Sequence, residues 1–396
     1  MSDAREILVN PPQGGNSDIQ NVVLGFIAAA HPGCAVVDLN TFPSHADRLF
    51  AFGDYPHVIM FSVQSRSQDA AMRLMGQCRV AYPQATISTL SSPIGVQCSY
   101  PFVRLPSDSI GNVHLDALPP VPDYTAFDSY PLFAERWADG TWPYALFTSF
   151  GCPMACNYCA AQRTGWRARA RDHIRDEVMS MRDRVRAYTV IDDLFNASGP
   201  NVRCVCAIMR EAKRQWMATN GLRADLLTVT DALDMATSGC TTVGFGIECA
   251  SDAVLRAIHK GETLAKIERG IGIAKAHFAS VSGYFIIGLP QSSYDLDRRS
   301  LDWAIRQGIY IHASYYTPAG SDATFYGPES RPTGRPDYPA EQQAALMQQA
   351  QGLSWGQRDV GAALRARWRM ARGYGLRAAG RYCAMDLRKA WRRARR

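Results

Sequence analysis

No run of about 18 uncharged apolar residues occurs in the 396-residue chain, so no segment is long enough to cross a bilayer as a helix; the longest candidate is Val22 to Ala30. Met1-Ser2-Asp3-Ala4 lacks the basic start and following apolar stretch of a secretory leader, and a cytoplasmic protein is expected. Charge is sparse at 20% of residues against 47% hydrophobic, a balance that excludes a disordered chain and leaves enough apolar mass for two domains. No repeat of 20 to 50 residues and no low-complexity segment is present outside an Arg-rich end. Zinc-finger partners are also missing, because no second C-x-x-C and no H-x-x-x-H follows the cysteines at 152–159 within the necessary distance.

What is present instead is Gly151-Cys152-Pro153-Met154-Ala155-Cys156-Asn157-Tyr158-Cys159, three thiols at C-x-x-x-C-x-x-C spacing directly after the apolar run Tyr144 to Phe150. That placement predicts a ligand loop at a strand end. A cubane iron–sulfur cluster has four irons and normally takes four thiolates, so three close cysteines leave one iron open to a ligand that can be transformed. The bland alternatives are a zinc site short of one ligand, or small buried hydrophobes. With no secretory leader expected, the 11 cysteines read as reduced thiols in a reducing compartment.

Short apolar segments alternate with helical ones along most of the chain. Ile7 to Asn10, a helix from about Asp18 to Ala30, Ala35 to Asp38, Val58 to Phe61, a helix near Ser67 to Ala81 and a strand at Thr86 to Leu90 predict a small doubly wound parallel sheet. Leu118-Pro119-Pro120-Val121-Pro122 then breaks the pattern, as a linker does. Six further strand–helix units follow, with strands expected near Tyr144 to Phe150, Tyr188 to Asp192, Arg223 to Leu227, Thr242 to Ile247, Val281 to Ile287 and Tyr310 to Tyr315. Six units suit a partial barrel, whose working residues would sit at the C-terminal strand ends. The expected fold is therefore α/β, with a doubly wound domain over 1–115, a linker over 116–140, a partial (β/α)6 barrel over 141–330 and a basic helical extension over 331–396.

Charge is unevenly distributed. Ser354 to Arg396 holds 13 Lys and Arg against 2 acidic residues, leaving 30 basic and 34 acidic residues elsewhere. With Trp368, Tyr374, Tyr382 and Trp391 interleaved, this tail could meet nucleic acid or an anionic surface, or be a solvated extension.

The cysteine loop resembles that of the radical SAM superfamily. Ile191-Asp192-Asp193-Leu194-Phe195-Asn196, Asn220-Gly221-Leu222-Arg223-Ala224-Asp225, Gly244-Phe245-Gly246-Ile247-Glu248-Cys249-Ala250-Ser251 and Gly283-Tyr284-Phe285-Ile286-Ile287-Gly288-Leu289-Pro290 fall in the order seen in the branch with an N-terminal cobalamin-binding-like domain. The resemblance implies a radical SAM barrel with a 4Fe–4S cluster on Cys152, Cys156 and Cys159, the open iron holding S-adenosylmethionine. It also implies that reductive cleavage yields a 5′-deoxyadenosyl radical, that cobalamin serves methylation of an unactivated carbon, and that an external donor such as a flavodoxin or ferredoxin supplies electrons. The substrate expected is a small molecule.

Individual residues carry both a family reading and a plainer one. Tyr158 would stack on or hydrogen-bond the adenine, or be a packed aromatic. Asp192 and Asp193 would hold the methionine ammonium, or cap a helix. Glu248 would take ribose hydroxyls or an ammonium, since an unpaired carboxylate there is costly to bury. Arg223 would pair with the cofactor carboxylate or form a structural salt bridge, and Gly283, Gly288 and Pro290 would let backbone approach the adenine or simply turn the chain. Arg163, Arg167, Arg169 and Arg171 would neutralise the cluster or pair on the surface with Asp172 and Asp176.

The pattern also departs from the family. No D-x-H-x-x-G supplies a cobalt ligand, as His31, His45 and His57 lie in other contexts, and Ser88 to Asn112 keeps only Gly95 and Gly111 of a glycine-rich loop. Pro290-Gln291-Ser292-Ser293 replaces the usual glycine and glutamate. Cys204, Cys206, Cys240, Cys249 and Cys383 have no auxiliary-cluster spacing. Three alternatives stay open: a cobalamin-independent radical enzyme, an RNA methylthiotransferase using Cys34, Cys78 and Cys98, and a non-catalytic scaffold.

Overall fold

The structure is a computed structural model describing residues 4–12, 21–53, 56–62, 67–90, 119–159, 161, 163, 165–316 and 334–356. Its first unit comprises β1 (Glu6–Asn10), α1 (Val22–Ala30), β2 (Ala35–Asp38), β3 (Val58–Ser62), α2 (Gln68–Ala81) and β4 (Thr86–Leu90). All four strands are parallel, in the order β2-β1-β3-β4. Alternation along β1 assigns the faces: Ile7 and Val9 enter a core with Val37, Ile59, Phe61, Leu74 and Met75, while Leu8 joins the core of the following unit. Strand order reverses between β1 and β3, the place where open α/β sheets bind ligands. Residues 13–20, 63–66 and 91–118, which follow β1, β3 and β4, lie outside the described residues, and with them Gly95, Cys98 and Gly111.

The proline-rich segment is more than a tether. Val36 N–H donates to the Ala126 carbonyl at 2.9 Å and Asp128 N–H to the Val36 carbonyl at 3.0 Å, so the chain runs along β2 before α3 (Tyr130–Asp139). Phe133 and Trp137 of α3 are stacked at 5.7 Å and lie in the core of the second unit.

That unit runs β5 (Tyr144–Leu146), β6 (Ser149–Phe150), β7 (Arg167–Ala168), α4 (Arg171–Met181), β8 (Ala187–Val190), α5 (Gly199–Ala212), β9 (Gln215–Leu222), α6 (Val229–Thr237), β10 (Cys240–Glu248), α7 (Asp252–Ala257), α8 (Leu264–His277), β11 (Ser280–Ile287), α9 (Tyr294–Gln307), β12 (Tyr310–Tyr315) and α10 (Ala340–Gly356). Six parallel strands in the order β12-β11-β10-β9-β8-β5 form the partial barrel, open between its edge strands β5 and β12. Side-chain oxygens of Ser198, Thr228, Thr263 and Ser293 accept backbone N–H groups and start α5, α6, α8 and α9.

Two expectations are corrected. The third barrel strand is Gln215–Leu222, not Arg223 to Leu227, because buried Trp216 and Ala218 pair with β8 and β10 while Arg223 already lies past the strand end. The first strand is interrupted after Leu146, and β6 pairs antiparallel with β7 instead. The extension contributes α10, which packs against β12 and α9. Residues 357–396, holding most of the basic tail and Cys383, lie outside the described residues. Among the described residues, no helix is long and apolar enough to cross a membrane.

Candidate functional site

The cysteine loop is closed at its base before any ligand arrives. Ser149 pairs with Ala168 and Phe150 with Arg167 across β6 and β7, and Trp166 Nε1 donates to the Leu194 carbonyl at 3.0 Å. Gly151 takes a left-handed φ of 75°, which only glycine adopts without strain, and turns the chain into the loop. Inside it, Cys159 N–H donates to the Cys156 carbonyl at 3.1 Å and Arg163 N–H to the Met154 carbonyl at 2.9 Å. Asn157 ties the loop to the end of α7, its N–H donating to Ile258 and its side chain to Ala257.

Burial raises all three thiol pKa values; Cys156 adds to the rise at Cys152, and Cys156 and Cys152 add to it at Cys159, which is pushed up to about 12. Among the described residues, no three His, Cys, Asp or Glu side chains converge on a single metal ion. A cubane places each thiolate on a different iron and requires no such convergence. Lys260 and Arg223 beside Cys156 oppose the rise and favour its thiolate, and the Tyr158 side chain hydrogen-bonds it. Tyr158 is thus a buried aromatic aimed at the second cysteine.

The two aspartates after β8 are placed differently. Asp192 is fully buried and accepts from Thr148 N–H at 2.6 Å, Thr148 Oγ1 at 2.5 Å and Ser149 Oγ at 2.7 Å. Both its oxygens anchor the chain between β5 and β6, so it is placed to hold the strand end and not an ammonium. Asp193 accepts from Gly151 N–H at 2.8 Å and faces Cys152 and Cys159; burial raises its carboxyl to about 7.

A buried charge cluster lies opposite. Glu248 ends β10 at the uncommon φ of 65°, and its Oε1 accepts from Lys260 Nζ at 3.0 Å. Glu262 Oε2 approaches the same ammonium at 3.6 Å. Burial alone would lower the Lys260 pKa; Glu248 and Glu262 reverse this and raise it. Glu248 Oε2 and Glu262 Oε2 are buried with no hydrogen-bond partner, so the cluster retains unfilled acceptors. Arg223 is committed to protein: it donates to both Asp225 oxygens at 3.0 Å and to the Lys260 carbonyl at 2.6 Å. Lys260 and Glu262 were missed in the sequence; their signal was the run Lys260-Gly261-Glu262, two opposite charges one residue apart in the short connection between α7 and α8.

Other expected residues serve packing. A Cβ on Gly283 would meet Ile247 Cδ1 at 2.5 Å, which explains the glycine by core contact. Gly288 N–H donates to Asp297 Oδ2 at 2.8 Å, and Arg335 donates to the Leu289 carbonyl at 2.9 Å, so Pro290 sits in a turn held from α9 and from the segment before α10. Arg169 is corrected most sharply. It is buried and bonded to Glu177, to the Phe147 carbonyl at 3.1 Å and to the Pro120 carbonyl at 2.8 Å, with the Phe26 ring 4.7 Å away. It pairs inside the protein, between the two units. Arg163, Arg167 and Arg171 are exposed; Arg167 lies over the Phe150 ring at 6.0 Å, and no ion pair joins Arg163 or Arg171 to Asp172 or Asp176 among the described residues. Cys34 and Cys78 belong to different apolar clusters.

Residues 146–303 match the sequence profile of the radical SAM superfamily. The chain carries a radical SAM domain. An uncharacterized methyltransferase of Pyrococcus horikoshii, PH0819, is 26% identical over 205 residues, which are 50% of this chain and 44% of that protein. This chain therefore aligns with less than half the length of that relative. The radical S-adenosylmethionine methyltransferase TsrM of Kitasatospora setae, solved with cobalamin and a [4Fe-4S] cluster, matches with a TM-score of 0.60 at 13% identity, covering 86% of this chain and 84% of that one. The cobalamin-dependent S-adenosylmethionine radical enzyme OxsB, solved with aqua-cobalamin and S-adenosylmethionine, matches with a TM-score of 0.57 at 15% identity over 79% of this chain and 53% of that one. The two-unit fold, a parallel four-stranded sheet ahead of the radical SAM domain, is the fold these structures share with it.

Proposed function

We propose that the protein is a radical SAM enzyme that holds a 4Fe–4S cluster on Cys152, Cys156 and Cys159, reductively cleaves S-adenosylmethionine and uses cobalamin to methylate an unactivated carbon. The observation that carries this reading is the meeting of three thiols with the buried Lys260–Glu248–Glu262 cluster at one barrel mouth. Reduced cluster and cobalamin, when bound, supply the electron and the methyl carrier. The protein's residues bind and orient: the thiolates hold iron, Lys260 offers an ammonium to the cofactor carboxylate, and the unfilled oxygens of Glu248 and Glu262 accept from its ammonium or hydroxyls. Asp193 faces the same loop and offers a second acceptor.

Cobalamin is supported by the placement of the first unit. Val22 and Phe26 of α1 pack with Ala145, Phe147 and Phe150, with Val23 and Ile191 against them. The start of α1, beside the switch point of the first sheet, is thus next to the C-terminal ends of β5 and β8. A ligand at that switch point would face the cysteine loop. The chain has no D-x-H-x-x-G motif whose histidine would hold cobalt, which favours cobalamin-independent radical chemistry as the second reading.

Anaerobic reconstitution with iron, sulfide and hydroxocobalamin, metal analysis and a dithionite-driven assay for 5′-deoxyadenosine test both readings. Four irons, one cobalt and nucleoside support the first. Nucleoside without cobalt supports the second, and no nucleoside defeats both. We further propose an external one-electron donor, and an anionic partner for the Arg-rich tail.

A further inference from the structure

The inner wall of β10 carries no side chain at two successive inward positions, Gly244 and Gly246. A Cβ at 244 would lie 2.7 Å from the Thr219 carbonyl oxygen and 2.9 Å from Tyr284 Cε2; one at 246 would lie 2.7 Å from Glu248 Oε1 and 3.1 Å from Lys260 Nζ. The missing side chains make room for two occupants. The Lys260–Glu248 pair lies over Gly246, and the Tyr284 ring lies across Gly244, its hydroxyl donating to the Thr219 carbonyl.

Next in the row is His312. Strand register sets Gly246 beside Tyr284 and Tyr284 beside His312, and the two rings stack at 5.1 Å and 24°. A centroid distance of that size is an offset stack, and Tyr284 as a whole is only partly buried. Because β12 is the edge strand among the described residues, no described strand flanks the imidazole; the residue keeps part of its surface exposed while one face of the ring packs on Tyr284. Its contact with Tyr284 is the ring stack alone; no hydrogen bond occupies either ring nitrogen among the described residues. Burial against the barrel lowers its pKa, which leaves the ring uncharged at neutral pH. Thr189, Thr219, Thr242 and Ser282 occupy inward positions on the same wall, and the Thr189 and Thr219 hydroxyls are 3.2 Å apart. The wall below the charged pair is uncharged and hydroxyl-bearing.

We propose that Tyr284 and His312 form the substrate ledge of this barrel, taking a neutral flat ring that stacks on Tyr284 and donates an N–H hydrogen bond edge-on to His312. The inference rests on the proposed function and adds a substrate class to it. A single charge on the ring would be costly against this wall, whereas one N–H finds its acceptor there.

Indole and N-methylindole are the probes, measured by equilibrium dialysis against the full-length reconstituted protein. The wild type should bind indole about two- to tenfold more tightly, the range set by one neutral hydrogen bond. His312→Phe should abolish that preference while still binding N-methylindole, and Tyr284→Leu should weaken both. A wild type that binds neither probe, or a preference that survives in His312→Phe, would overturn the ledge. The dithionite-driven nucleoside assay is run on the wild type. A wild type silent in that assay but showing the indole preference would overturn the proposed function and support the ledge.

Discussion

Lys260 Nζ lies 3.0 Å from Glu248 Oε1, and both side chains are at least nine-tenths buried. Removing the ammonium leaves Glu248 without its cation and Glu262 with only the Arg223 guanidinium, 4.0 Å away. Lys260→Met should destabilise the fold by about 3–5 kcal/mol, read as a lower urea midpoint with an unchanged slope. Glu248→Gln should cost less, because Glu262 still faces Lys260 at 3.6 Å.

Substitution of any one cluster cysteine should separate metal loading from folding. Cys152→Ala, Cys156→Ala or Cys159→Ala should each lose most of the bound iron and the visible charge-transfer absorption. Circular dichroism should stay that of the wild type, because the loop is closed by β6, β7 and Trp166 without them. Retention of four irons by Cys156→Ala would rule out its role as a ligand.

Arg169 and Glu177 are both fully buried, so Arg169→Met should cost about 3–5 kcal/mol as well. The Tyr144 hydroxyl, donating to Glu177 Oε1 at 2.8 Å, offers only partial compensation. Since Arg169 also bonds the Pro120 carbonyl, limited proteolysis of this variant should cut the 116–124 segment faster than in Lys260→Met. Equal rates in the two variants would show that Arg169 does not secure the linker.

His312 should titrate below its ordinary value of 6.5 in an NMR pH series. A folded pKa below the unfolded one means that the folded state binds this proton more weakly. Stability is therefore lost as pH falls through 6.5 toward the folded midpoint and is unaffected above it. His312→Phe should flatten that part of the stability profile; an unchanged profile would show that the imidazole is as hydrated folded as unfolded.

Much of this was legible in the sequence because it rests on local pattern. The cysteine spacing, the period-2 burial of β1 and the apolar run ending at Glu248 all report their environment within a few residues. What escaped depends on contacts distant in sequence. Arg169 reads as one of four surface arginines until Glu177, Phe147 and Pro120 converge on it. Asp192 and Asp193 are adjacent, yet one binds Thr148 and Ser149 while the other meets Gly151, a distinction set by the break after Leu146. The β9 boundary was misread because polar Thr219 and Asn220 break the apolar pattern of a strand whose buried residues are Trp216, Ala218 and Leu222.

Helix α1 has a final consequence for how the protein comes apart. Leu24, Ile27 and Ala28 lie in the apolar core of the radical SAM domain, and Val22 and Phe26 lie against Phe147 and Phe150. The helix belongs by chain to the first sheet and by burial to the second. A fragment ending near residue 115 would expose that whole surface to water and should aggregate or melt at low temperature. Calorimetry on the intact chain should accordingly show one heat-absorption peak, with both units losing structure in a single event.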